Sequence, residues 1–218
     1  MIKSPFFIVQ DFLSAKACET LISQYEVTTP VVDINGNPTK LERFLTPDKG
    51  RHFVLSRLKE YMTDIEQHYG AEYFGVESLT MIHFPEDERS QVAQKPGCEN
   101  SQFVRKKWIK NKDVDLTGYI WLKDFNDNVP LDPRYEVYGG KLEFPAYDFS
   151  LVPERGTLVL FPAYPHFITA ISPVLVSDLY QIKVNITLRQ DGLMWLYDPK
   201  NFPCGKEGFI KGWFSTYL

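Results

Sequence analysis

Residues 138–183 decide how this chain is read. They begin Tyr138-Gly139-Gly140-Lys141-Leu142-Glu143-Phe144-Pro145. They continue Val152-Pro153-Glu154-Arg155-Gly156-Thr157-Leu158-Val159-Leu160-Phe161-Pro162, then Pro165-His166-Phe167, and end in a long strand-like run. Short apolar and β-branched runs are separated by Pro, Gly, Asp and Asn, which predicts strands joined by turns. The expected strands are Tyr138–Phe144, Phe149–Val152, Thr157–Phe161, Phe167–Ile171 and Leu179–Leu188. Upstream, Ser78–Phe84 and Thr117–Lys123 read the same way. Many short strands without helices between them indicate an antiparallel sandwich or barrel.

The last strand alternates most plainly. Tyr180, Ile182, Val184, Ile186 and Leu188 take one face; Leu179, Gln181, Lys183, Asn185 and Thr187 take the other. Either the polar face lies in water, or it lines the mouth of a barrel and holds an anion.

Before residue 75 the period is helical. Pro5–Val9 reads as a short strand. Ser14 is a suitable N-cap for a helix to Tyr25, with Cys18, Leu21, Ile22 and Tyr25 on one face. A second helix is expected from Thr46, with Pro47 in its first turn and Gly70 as its stop. Val54, Leu55, Leu58, Tyr61, Met62, Ile65 and Tyr69 form its apolar stripe. The expected fold is mostly β with flanking α. It is a double-stranded β-helix, or jelly roll, with the N-terminal helices packed on one sheet. The expected organisation is a single domain: helical support over 1–74, a β core over 75–190 and a C-terminal wrap over 191–218.

Composition narrows the class. A chain of 218 residues with 44% hydrophobic, 24% charged and 15% aromatic residues can bury one sizeable core. The net charge of -4 argues against a nucleic-acid partner, since phosphate binding needs an excess of cations. No apolar stretch approaches the ~20 residues of a membrane-spanning helix. Met1-Ile2-Lys3-Ser4-Pro5 lacks the apolar stretch of a secretory signal. Cys18, Cys98 and Cys204 are odd in number and scattered, which fits a reducing, cytoplasmic compartment.

The motifs of 138–167, in their order and spacing, resemble the 2-oxoglutarate- and Fe(II)-dependent oxygenases, in the prolyl-4-hydroxylase-like branch. Pro5-Phe6-Phe7-Ile8-Val9-Gln10-Asp11-Phe12-Leu13 resembles the opening of such proteins. The resemblance implies Fe(II) held by a facial triad, a His-x-Asp/Glu pair and a later His, with open positions for 2-oxoglutarate and dioxygen. On that resemblance the later His matches His166, and Gly97-Cys98-Glu99-Asn100 matches the proximal pair, with Glu99 as its carboxylate. The His of the pair falls on Gly97, which has no side chain to bind a metal. His83 is a candidate third ligand. Cys98, Asp113 and Asp115 are further substitutes, each more simply read as an ordinary surface or core residue. His52 and His68 read as solvated or structural.

The family's basic anchor for the distal carboxylate of 2-oxoglutarate falls on Leu179. Lys183 lies four residues on, on the same face, and is the expected anchor, with Arg189 in reserve and Tyr119 as an added hydrogen-bond donor. The expected activity is hydroxylation of a peptidyl or small-molecule substrate, coupled to decarboxylation of 2-oxoglutarate. The alternative is a catalytically impaired binding module of the same fold. A plain jelly-roll binding domain is a third reading.

Overall fold

A computed structural model describes residues 4–25, 29–32, 38–45, 50–77, 79–86, 97–110 and 113–188. Within them the expected β-rich architecture is present. The major sheet runs β1 (Phe7–Val9), β13 (Leu158–Pro162), β8 (Leu116–Trp121), β16 (Leu179–Leu188), β5 (Thr80–Phe84), β3 (Pro38–Phe44), β2 (Thr29–Val32), and β4 (Tyr73–Val76) also pairs with β16. All its pairings are antiparallel. Opposite it lie two three-stranded sheets. One holds β9 (Asp124–Asn126), β10 (Glu136–Gly139) and β15 (Val174–Val176); the other holds β11 (Leu142–Phe144), β12 (Phe149–Leu151) and β14 (Ala170–Ile171). A hairpin of β6 (Ser101–Val104) and β7 (Lys107–Lys110) forms a fourth, separate sheet.

The major sheet is buried on both faces, and its alternation sorts two cores. One face of β16, with Ile182, Val184 and Ile186, joins Leu116, Ile120, Leu158 and Leu160 against the helices. Those are α1 (Ala15–Ser23), α2 (His52–Glu60) and α3 (Met62–Tyr69). Leu21, Val54, Leu58 and Ile65 fill that layer. Each such side chain taken out of water stabilises the fold by roughly 1.5–3 kcal/mol. The Tyr69 hydroxyl fixes α3 to the sheet, lying 3.0 Å from the Pro5 carbonyl and 2.9 Å from that of Leu160. The other face, with Ile82, Tyr119, Trp121, Val159, Phe161 and Leu179, packs on Val137, Leu142, Phe144, Ile171 and Val174 of the smaller sheets.

Several expected boundaries move. Ser14 caps α1 as expected, accepting a hydrogen bond from the Ala17 N–H at 3.3 Å, but the helix ends at Ser23. The second expected helix divides at Tyr61 into α2 and α3 and stops at Gly70, whose left-handed φ of 67° ends it; its expected start at Thr46 lies outside the described residues. The strand expected over Tyr138–Phe144 breaks at Gly139 and Gly140, with φ of 91° and 75°. A Cβ at Gly139 would come within 2.0 Å of the Pro173 carbonyl oxygen, so only glycine fits there. The strand expected over Phe167–Ile171 starts late: Phe167 closes the 3-10 turn Pro165–Phe167, Thr169 makes a single bridge, and only Ala170–Ile171 form β14. The stretch expected as helical support also gives β1, β2 and β3 to the major sheet. The wrap expected over 191–218, and Arg189, lie outside the described residues. Among the described residues, no helix is long and apolar enough to cross a membrane.

Candidate functional site

The polar face of β16 turns inward, away from the helices. Lys183 is paired with Thr80 on β5 and Tyr119 on β8, and Gln181 with Ile82 and Trp121. The Lys183 ammonium lies 3.5 Å from the Glu99 carboxylate and 3.5 Å from that of Glu42 on β3. These side chains are largely shielded, at 15% exposure for Lys183, 22% for Glu99 and 30% for Glu42. Burial alone would lower the Lys183 pKa. The attraction of Glu99 and then Glu42 outweighs it and holds the ammonium above the ordinary lysine range.

Gly97 supplies the other wall. It makes an isolated antiparallel bridge with Thr169, with N–H···O bonds of 3.0 and 2.8 Å in the two directions. Residues opposed in this way project side chains to the same side of the sheet. The buried Tyr119 hydroxyl has its pKa pushed up to about 12 by burial and by the negative charge of Glu99. Gln181 is fully buried, and neither its amide oxygen nor its nitrogen has a hydrogen-bond partner; Thr80 Oγ1 is also unpartnered. The site is thus a cation held by two carboxylates, beside a buried phenol and an amide with unused donors and acceptors.

The structure brings together Glu99, Lys183 and Tyr119 from the residues singled out in sequence. It turns His83 away from them. His83 pairs with Tyr180 on the helix-facing side of the sheet, stacked on that ring at 4.4 Å, with Asp178 3.3 Å from its Nε2. The expectation that His83 joins Glu99 is therefore corrected: strand alternation turns it to the opposite face. His166 is exposed on the 3-10 turn, three residues ahead of the position that faces Gly97. Cys98 is a thiol whose pKa burial pushes up, and its Sγ lies 3.4 Å from the Ser101 carbonyl. Asp115 is tied to the Tyr164 hydroxyl at 2.7 Å and to the Leu188 N–H at 2.8 Å. The Asp113 carbonyl accepts from Thr187 at 2.6 Å.

Glu42 and Thr169 were missed in sequence. Glu42 lies where helical support was expected, and nothing local announces that β3 joins the sheet. Thr169 is set by the bridge to Gly97, a contact between residues far apart in sequence.

The residues present do not fit a two-His, one-carboxylate iron centre. The chain has four histidines. His52 is on α2, His68 on α3 has its Nε2 2.9 Å from the Ser4 carbonyl, and His83 faces the helices. That leaves at most one imidazole for Glu99. Among the described residues no cluster of three or more His, Cys, Asp or Glu side chains could hold a metal ion.

No family model matches this chain, and no curated protein matches it in sequence. Solved structures do match it in fold. A viral collagen prolyl hydroxylase from Paramecium bursaria Chlorella virus-1, in complex with 2OG, superposes with a TM-score of 0.57 at 14% identity, over 84% of this chain and 96% of that one. The fold is that of the prolyl hydroxylases. A Pseudomonas putida prolyl-4-hydroxylase gives a TM-score of 0.58 at 13% identity, over 85% of this chain and 94% of the other. A Trichoplax adhaerens prolyl hydroxylase, solved with a hypoxia inducible factor oxygen degradation domain peptide, gives 0.57 at 13% identity, over 84% of each. The likeness matches the expected prolyl-hydroxylase-like branch at the level of fold.

Proposed function

We propose that this chain uses the prolyl-hydroxylase fold as a ligand-binding module, without a resident iron. The observation that carries this reading is the position of Lys183. Its ammonium stands against the one carboxylate of the matched triad, and the residues at the two adjoining positions, Gly97 and Thr169, bring no imidazole. A cation there repels a second cation and saturates Glu99. Tyr119, Thr169 and Gln181 are then the groups that meet the ligand, a peptide or small molecule. A cytoplasmic location accords with Cys18 and Cys98 being free thiols.

A second reading keeps the activity of the fold's neighbours: a 2-oxoglutarate-dependent hydroxylase acting on a peptidyl or small-molecule substrate. Its support is the shared fold and the open space beside Gly97, where an added Cβ would meet nothing within 4 Å. In it, Glu99 and His166 are the iron ligands, and Lys183 and Tyr119 hold the cosubstrate. Anaerobic titration with Fe(II) and 2-oxoglutarate separates the two. The module gives no visible charge-transfer band at millimolar metal and releases no succinate in air. A band, or succinate release, overturns the module.

A further inference from the structure

The hairpin of β6 and β7 rises from the turn that carries Glu99 and stands apart from both main layers. Phe103 and Trp108 face each other across it, rings 5.3 Å apart. They are 61% and 36% exposed, and Val104 and Ile109 on the opposite face are 41% and 53% exposed. An isolated two-stranded hairpin with apolar side chains in water on both faces is marginally stable by itself. Among the described residues each strand pairs only with the other, and neither outer edge has a partner strand there.

The charge is equally one-sided. From Asn100 to Lys112 there are five cations, Arg105, Lys106, Lys107, Lys110 and Lys112, and no acid, in a chain of net charge -4. Arg105 and Lys106 form the hairpin tip with φ of 49° and 64°. Asn-Gly is the usual pair for such a two-residue turn, and long side chains there cost strain. The tip thus spends conformational energy to present two cations.

We propose that this hairpin docks an acidic, extended peptide of a partner protein. An extended peptide adds a strand to an open edge through its own N–H and C=O groups, and its apolar side chains cover the Phe103–Trp108 pair. Its carboxylates meet Arg105, Lys106 and Lys107. A single-stranded nucleic acid would also stack on the rings, but it has no backbone amides to satisfy a strand edge, and the net negative charge of the chain repels it beyond the hairpin. The docking does not depend on whether the barrel holds iron.

The experiment uses metal-free full-length protein and a short fluorescein-labelled peptide alternating Glu and Val, followed by anisotropy. Controls are the same peptide with Lys for Glu, and an oligo(dT) of equal length. The acidic peptide is expected to bind about tenfold tighter than either control, and to weaken about tenfold with Phe103→Ser or with Lys106→Glu plus Lys107→Glu. Both variants keep the wild-type melting temperature, because the side chains are exposed. Equal binding of acidic and basic peptides, tighter binding of oligo(dT), affinity unchanged in the variants, or dimerisation through the hairpin in place of peptide binding overturns the proposal.

Discussion

Lys183 and Glu99 meet at 3.5 Å across the barrel mouth, and the same ammonium meets Glu42 at 3.5 Å from a third strand. On the proposed reading, this ammonium takes the place beside Glu99 that a metal ion would otherwise occupy. Removing that cation takes the Lys183 charge away from two shielded carboxylates. Lys183→Met is expected to lose about 1–3 kcal/mol of stability in urea denaturation, discounted for partial exposure from the larger cost of breaking a fully buried pair. Lys183→Arg is expected to retain most of it. A Lys183→Met protein as stable as wild type would show that the triad of charges contributes nothing.

Tyr119 gives a pH signature. Its hydroxyl pKa is about 12 in the folded protein against an ordinary value of 10. A raised folded pKa means that the associated stability is complete below pH ~10 and is lost as pH climbs toward ~12. The same sign holds for Lys183, whose share disappears only above the ordinary lysine range. Separating a folded from an unfolded pKa costs ~1.4 kcal/mol for each pH unit between them. Between pH ~9 and ~12, wild type is therefore expected to lose roughly 2–3 kcal/mol more than Tyr119→Phe does. Parallel curves for the two proteins across that window would refute the assignment.

Gln181 is fully buried with both ends of its amide unpartnered. A buried polar group without partners is costly, and replacing it by an apolar residue of similar shape removes that cost. Gln181→Leu in ligand-free protein is expected to raise stability by about 1 kcal/mol. A ligand that uses the amide should lose affinity in the same variant. A fall in the ligand-free melting temperature would mean that the amide is already satisfied.

The sequence made the inward face of β16 legible because period-2 alternation is local and unbroken over ten residues. The same alternation put Lys183 and Gln181 on one face but left open whether that face met water or the barrel. The helical stripe of Val54, Leu58, Ile65 and Tyr69 was legible for the same reason, and all four side chains are buried. What escaped was long-range pairing. Glu42 reaches Lys183 only because β3 pairs with β5, and Thr169 faces Gly97 through two backbone hydrogen bonds that no local pattern specifies. Gly139 and Gly140 were read inside one strand over Tyr138–Phe144, whereas their positive φ angles separate β10 from β11.

The bridge between Gly97 and Thr169 also predicts how a metal site could be rebuilt. Gly97 has no positive φ, and an added Cβ meets nothing within 4 Å, so a side chain can begin there without backbone strain. Thr169, opposite it, is the place for the second imidazole; His166 lies three residues away on an exposed turn. Gly97→His alone is expected to tighten divalent-metal binding over the wild type. Adding Thr169→His gives two imidazoles and Glu99, a donor set suited to iron. Losing one outer partner of a metal ligand typically costs ~10–100-fold in affinity, so each direct ligand gained should be worth at least that much. Lys183 still competes for Glu99, and Lys183→Met in the double variant should tighten binding again. The measurement is calorimetric titration with Co(II) under nitrogen, with the d–d spectrum reporting coordination. Equal affinity in wild type and the double variant would show that residues 97 and 169 do not face a common metal position. Tight binding by the wild type alone would place its ligands elsewhere in the chain.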